Sequence, residues 1–156
     1  MRTRISLVAL LSAALATSAA PASALSLGLS GGPLPTLTPF QPGQTATGSG
    51  ALTAISLLAW TLTVEDAGTG AGHMVKAASG CVGSDAQLTN ALTVAVTISG
   101  VTSTRRTITA TPTTVATGAG LVSAFTVTTN YSQVIPAAQV MRTGCVYTLT
   151  ATYTLQ

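Results

Sequence analysis

Side chains alternating with a period of two dominate this chain, and that pattern limits it to β-structure. Near the carboxyl end, Tyr147, Leu149, Ala151, Tyr153 and Leu155 alternate with Thr148, Thr150, Thr152 and Thr154. Successive side chains of a strand point to opposite faces, so one parity here is apolar and the other carries hydroxyls. Leu58, Trp60, Leu62 and Val64 alternate in the same way with Ala59, Thr61, Thr63 and Glu65. Leu92, Val94, Val96 and Ile98 alternate with Thr93, Ala95, Thr97 and Ser99, while Leu121, Phe125 and Val127 share a parity that Thr126 and Thr128 do not. Antiparallel sheets wetted on one side read this way. The chain holds 29 threonines in 156 residues. Threonine suits such a sheet because its β-branched side chain fits a pleated surface while its hydroxyl stays solvated. Each apolar parity is expected in a core and each hydroxyl parity in water.

Further strands are predicted over residues 45–49, 73–79, 107–111 and 134–135. Glycine-rich turns at 68–72, 80–83 and 118–120 separate the segments. Residues 51–58 are apolar enough for a buried helix, but Thr53 and Ile55 favour a strand. Ser84 with Gln87 is a candidate cap for one helical turn, and Pro136 is a candidate start for another through Gln139. Pro33, Pro35, Pro39 and Pro42 crowd the stretch before Gln44. Proline lacks the ladder donor, so residues 25–43 read as a linker or an edge strand, with the compact domain over 44–156. The expected fold is all-β: an antiparallel, Ig-like β-sandwich of seven to nine short strands after an N-terminal signal helix.

Residues 1–24 have the layout of a secretory signal. Arg2 and Arg4 form the positive end, residues 5–16 a short apolar stretch, and Ala22-Ser23-Ala24 a small-x-small cleavage site before Leu25. The apolar stretch falls short of the roughly 20 residues that a membrane-spanning helix needs. An extracellular or cell-surface location is therefore expected, with no membrane attachment once the signal is removed. Removal also changes the charge. The whole chain carries a formal +3, but residues 25–156 keep only Lys76, Arg105, Arg106 and Arg142 against Glu65, Asp66 and Asp85, a net +1. Nucleic-acid binding needs clustered basic residues, and only Arg105 and Arg106 are adjacent. Cys81 and Cys145 both fall in the exported part, where two cysteines usually pair. Their loop spans 64 positions, for which chain entropy gives roughly 4 kcal/mol of stabilisation. Two free thiols are the alternative.

Charged residues make up 6% of the chain, against about 25% in an average domain. That shortage argues against charge-driven disorder and against a solvent-facing coiled coil. It also argues against an enzyme, since only one histidine and three carboxylates remain for chemistry. Gly68, Gly70 and Gly72 after Glu65-Asp66 suggest a phosphate cradle, but a cradle needs a following helix, and a long hairpin loop fits better. Glu65, Asp66 and Asp85 are too scattered for an expected calcium site. His73 with Asp66 or Asp85 could serve a serine nucleophile only if geometry brought them together, and no nucleophile elbow is present. Asn130-Tyr131-Ser132 matches the N-glycosylation pattern. Trp60 and Tyr153 could stack on sugars, but both share the parity of leucines. No catalytic residue, cofactor or metal ligand is assigned.

Trp60-Thr61-Leu62 runs through Val64-Glu65-Asp66 into the glycine loop and an extended segment. The carboxyl end runs Tyr147-Thr-Leu-Thr-Ala151-Thr-Tyr153-Thr-Leu155. Together these resemble the WxL-type cell-wall-associated domains of Gram-positive bacteria, over residues 44–156. Trp60 and Leu62 match the first motif; Tyr153 and Leu155 match the second, with tyrosine in place of tryptophan. The resemblance implies a secreted β-sandwich that attaches non-covalently to peptidoglycan or to other surface proteins. The expected function is thus a non-enzymatic structural or adhesion module on the cell surface. The alternative is a subunit of an extracellular polymer, a pilus or coat, self-associating by strand addition with residues 25–43 as the donor.

Overall fold

A computed structural model describes residues 3–6, 27–31, 35–77, 81–119 and 124–156. Among these there is no helix, and every strand pairing is antiparallel. The strands are β1 (Thr3–Ser6), β2 (Leu27–Gly31), β3 (Thr45–Ser56), β4 (Trp60–Asp66), β5 (Val75–Lys76), β6 (Thr93–Ile98), β7 (Val101–Thr102), β8 (Arg106–Thr107), β9 (Thr113–Gly118), β10 (Phe125–Val134), β11 (Tyr147–Thr148) and β12 (Ala151–Leu155). One sheet has the order β1-β12-β4-β9; the second runs β2-β3-β10-β6-β7, with β8 also on β6; β11 and β5 form a small ribbon.

The two large sheets share one apolar core. Leu62, Val64, Tyr153 and Leu155 come from the first sheet, and Leu52, Val94, Val96, Val127 and Tyr131 from the second. Burying the inner faces of two antiparallel sheets against each other is the arrangement of a β-sandwich. The backbone of the second sheet is anchored by a ten-pair ladder between β3 and β10, from Phe125 opposite Ala54 to Val134 opposite Thr45. Along β10 the alternation is strict: Phe125, Val127, Thr129, Tyr131 and Gln133 are buried, and the residues between them are not. β3 carries small residues on its inner parity. A Cβ on Gly48 would lie 2.9 Å from both the Leu37 side chain and the Thr36 carbonyl. Glycine there lets the proline-rich segment cross the sheet, where Thr38 and Thr47 exchange backbone hydrogen bonds and Leu37 enters the core.

Several local expectations are corrected. Residues 3–6 of the expected signal helix form strand β1; the rest of residues 1–24 lies outside the described residues. Residues 51–58 are extended through Ser56, so the helical option falls away. Of the strands predicted over 73–79 and 107–111, the described residues are extended in a ladder only at Val75–Lys76 and at Thr107, the latter as part of Arg106–Thr107; residues 78 and 79 lie outside the described residues. Ser84 and residues 136–139 form turns without helix, the second closed by the Gln139 amide on the Pro136 carbonyl. Parity fails at β12, where Thr152 and Thr154 are as buried as Tyr153 and Leu155. β12 lies between β1 and β4, so its small threonines are enclosed by neighbours such as Thr63 and Glu65. Leu149 and Thr150 are both half-buried, and Leu58 is exposed.

Candidate functional site

The residues singled out in the sequence divide into a core group and a linked pair. Trp60, Leu62, Tyr153 and Leu155 all face inward. Register places Tyr153 opposite Val64 and Leu155 opposite Leu62, on adjacent strands. The Trp60 ring stacks on Phe125 of the facing sheet with centroids 5.2 Å apart, and its Nε1–H donates to the Ala119 carbonyl at 2.9 Å. Gly118 lies against the indole, leaving no room for a Cβ. Tyr153 and Tyr131 join the sheets through their hydroxyls at 2.8 Å. Burial raises both phenols above their ordinary value, Tyr153 well above it, because neither phenolate could be solvated there. None of these aromatic rings is available to stack on a sugar.

Cys81 and Cys145 form the expected disulfide, with Cα atoms 5.3 Å apart. It fastens a lobe around the β5–β11 ribbon. Gln139 organises the lobe from inside: its Oε1 accepts from the Thr89 amide and hydroxyl, and its Nε2 donates to Asp85 and to the Gln87 carbonyl. Asp85 also accepts from the Val140 amide at 2.8 Å. The sequence reading missed Gln139, because its partners lie about 50 residues away with no local signal.

The glycine loop turns out to be built on Asp66. One carboxylate oxygen accepts from the Gly68 amide and the other from the Gly72 amide, both at 2.8 Å. Amides that a phosphate would need are thus occupied, but the expected hairpin is not formed: β4 pairs with β12 and β9, whereas β5 pairs with β11, so the loop crosses from the first sheet to the ribbon. His73 donates through Nδ1 to the Leu88 carbonyl at 2.8 Å, so its ring is engaged with backbone. Among the described residues no three His, Cys, Asp or Glu side chains gather into a metal-binding group. Asn130 sits inside the β10 ladder, its Nδ2 on the Thr97 hydroxyl at 3.2 Å.

One surface remains with a consistent chemistry. The outer face of the second sheet carries Thr45, Thr47, Ser49 and Thr53 from β3, Thr126, Thr128, Asn130 and Ser132 from β10, and Thr93 and Thr97 from β6, with Ala51, Ile55, Ala95 and Val134 at the remaining positions of the same parity. Register sets Thr126 beside Thr53, Ser132 beside Thr47 and Thr128 beside Thr97. Sheet geometry spaces such groups about 4.8 Å across strands and about 6.6 Å along them. Hydroxyl-to-hydroxyl and hydroxyl-to-carbonyl bonds, Thr97 to Thr102 at 2.8 Å and Thr93 to Ser132 at 2.8 Å, hold part of the array. Arg105 brings a cation onto the array, donating to the Asn130 carbonyl at 3.0 Å. The β3 part of this face was legible as the odd parity of Thr45, Thr47, Ser49 and Thr53, but the ambiguous 51–58 stretch concealed its continuity.

Two apolar cavities flank the sandwich. One, of about 350 Å³, lies under the proline-rich segment between Leu37, Phe40, Met74, Tyr131, Tyr147 and Leu149. The other, of about 480 Å³, opens between Trp60, Val96, Ile98 and Gly118. No protein-family model, curated protein or solved structure matches the chain.

Proposed function

We propose that this protein is a secreted, non-enzymatic structural or adhesion module that attaches non-covalently to a cell-wall polymer or to other surface proteins. The observation that carries the reading is the broad, hydroxyl-rich face on the outside of the second sheet, with Arg105 as a cation on it. A glycan presents hydroxyls, ring oxygens and amides at regular intervals. A rigid grid of threonine, serine and asparagine side chains can donate to and accept from such groups without an opposing charge. The signal-like segment at residues 1–24 supports export, and the resemblance to WxL-type domains belongs to the same reading. In it, Trp60, Leu62, Tyr153 and Leu155 act as framework residues that keep the face flat, because all four are buried. The non-enzymatic part draws support from His73, Asp66 and Asp85, each engaged in fixing backbone rather than aimed at a shared point.

Sedimentation with washed Gram-positive cell walls tests the reading. The secreted protein should pellet with the walls. Replacing the cross-strand pair by Thr53→Lys with Thr126→Glu keeps opposite charges side by side on the ladder but removes two hydroxyls from the face. This variant should stay largely in the supernatant, whereas Thr114→Lys on β9 should pellet as before. A native protein that fails to sediment would overturn the proposal.

A further inference from the structure

The first sheet has one edge made from residues 3–6. β1 pairs with β12 along the whole of that strand segment, Thr3 opposite Leu155, Arg4 opposite Thr154, Ile5 opposite Tyr153 and Ser6 opposite Thr152. These four residues lie inside the segment that reads as a cleaved signal. Cleavage before Leu25 would take β1 away and leave outward-facing the N–H and C=O groups that β12 turns toward β1, those of alternate residues. β2, at Leu27–Gly31, would stay on β3 in the other sheet.

Exposed edges invite pairing unless charge, proline, a bulge or shortness protects them. The other described edges have such protection. β9 follows Pro112 and carries a register shift where it passes Leu62 and Thr63 of β4. β7 is two residues long. β2 runs into Gly31, Gly32 and Pro33 in the sequence. β12 has none of these devices: Ala-Thr-Tyr-Thr-Leu contains no charge, glycine or proline and is rich in β-branched and aromatic residues.

We propose that signal removal uncovers the edge of β12 and that a second copy of this chain pairs with it there, β12 against β12, antiparallel about a two-fold axis through Tyr153. Pairing centred on Tyr153 sets Thr152 opposite Thr154 of the second copy and Ala151 opposite its Leu155. Both strands keep the same parity, so Ala151, Tyr153 and Leu155 stay on the core side and the threonines share the opposite face. The first sheets of two copies then become one six-stranded sheet in the order β9-β4-β12-β12-β4-β9. The net charge of +1 on residues 25–156 opposes this contact only weakly. An edge-to-edge contact is isologous, so it closes as a dimer. The inference rests on the export part of the proposed function.

The test uses protein recovered from culture medium, with its amino terminus sequenced and its mass followed by sedimentation from low micromolar to near-millimolar concentration. Hydrogen exchange of the 151–155 amides is read over the same range. The expected result is a chain starting at Leu25 that dimerises with concentration, the 151–155 amides slowing by about tenfold or more as it does. Thr152→Lys with Thr154→Lys should give a monomer, and because both threonines are buried in the unprocessed chain its circular dichroism spectrum is compared with the native one to establish that it folds. The exchange measurement decides alone if that variant does not fold. A processed protein that stays monomeric, or a dimer whose added protection lies in β2 and β3, overturns this proposal and leaves the export reading intact. An amino terminus that retains residues 1–24 overturns both.

Discussion

At the scale of single residues, Asp66 shows how one charge can define a loop. A buried carboxylate is costly unless its oxygens are hydrogen-bonded, and here the Gly68 and Gly72 amides meet that need. Charge-assisted bonds of this kind contribute about 1.5–3 kcal/mol each. Asp66→Ala is therefore expected to lower the unfolding free energy by about 2–4 kcal/mol in a urea titration, with Asp66→Asn between it and the native protein. Gly72 itself has a φ of +97°, the left-handed region that a side chain disfavours, and a Cβ there would meet the Ile108 carbonyl. Gly118 is glycine for a different reason, since its missing side chain is where the Trp60 indole lies. Gly118→Ala should cost about 1–3 kcal/mol through overpacking and should change the near-ultraviolet dichroism of the sole tryptophan. Sequence spacing marked 68–72 as a glycine-rich turn. It held no sign that Asp66 reaches an amide six residues on, because that depends on the path of the turn.

At the scale of elements, β10 and β12 make the contrast that explains where parity reasoning works. β10 has open solvent on its outer face, and every second residue is buried as alternation requires. β12 is enclosed on both faces, so its threonines are buried although their residue type marks them as polar. Thr63 on the neighbouring β4 donates its hydroxyl to the Thr154 carbonyl at 3.4 Å, whereas the buried Thr152 hydroxyl has no partner among the described residues. The same elements carry a pH dependence. Tyr131 on β10 and Tyr153 on β12 share a hydrogen bond between the sheets, and burial raises both phenols. A tyrosine whose folded pKa lies above its unfolded value stabilises the fold fully below about pH 10, and that stabilisation is lost as pH rises further. Stability measured by urea titration should hold to about pH 10 and then fall. Tyr131→Phe with Tyr153→Phe should flatten that alkaline decline. The two-residue strands were not legible in advance. β5 and β11 owe their pairing to the disulfide, Gln139 and Asp85 around them rather than to their own periodicity.

At the scale of the whole molecule, two sheets and one disulfide account for the stability and the outer hydroxyl face accounts for the proposed attachment. The all-β, antiparallel class was legible because four stretches alternate with a period of two and charge is scarce. The pairing of Cys81 with Cys145 was legible from their number and setting. The hydroxyl face was only partly legible, because Thr45, Thr47 and Ser49 lay in a predicted strand but Thr53 lay in a stretch whose apolar residues suited helix and strand alike. Linking the two cysteines closes a loop of 64 positions, so Cys81→Ser with Cys145→Ser should lower the unfolding free energy by roughly 4 kcal/mol in a denaturant titration. The hydroxyl face itself is best tested by nuclear magnetic resonance of methyl-labelled threonine while solubilised wall fragments are added. The expected result is a set of shifts confined to Thr45, Thr47, Thr53, Thr93, Thr97, Thr126 and Thr128, with Thr113, Thr114 and Thr117 on β9 unmoved. Shifts centred on β9, or none at any wall concentration, would contradict the assignment of that face as the site of attachment.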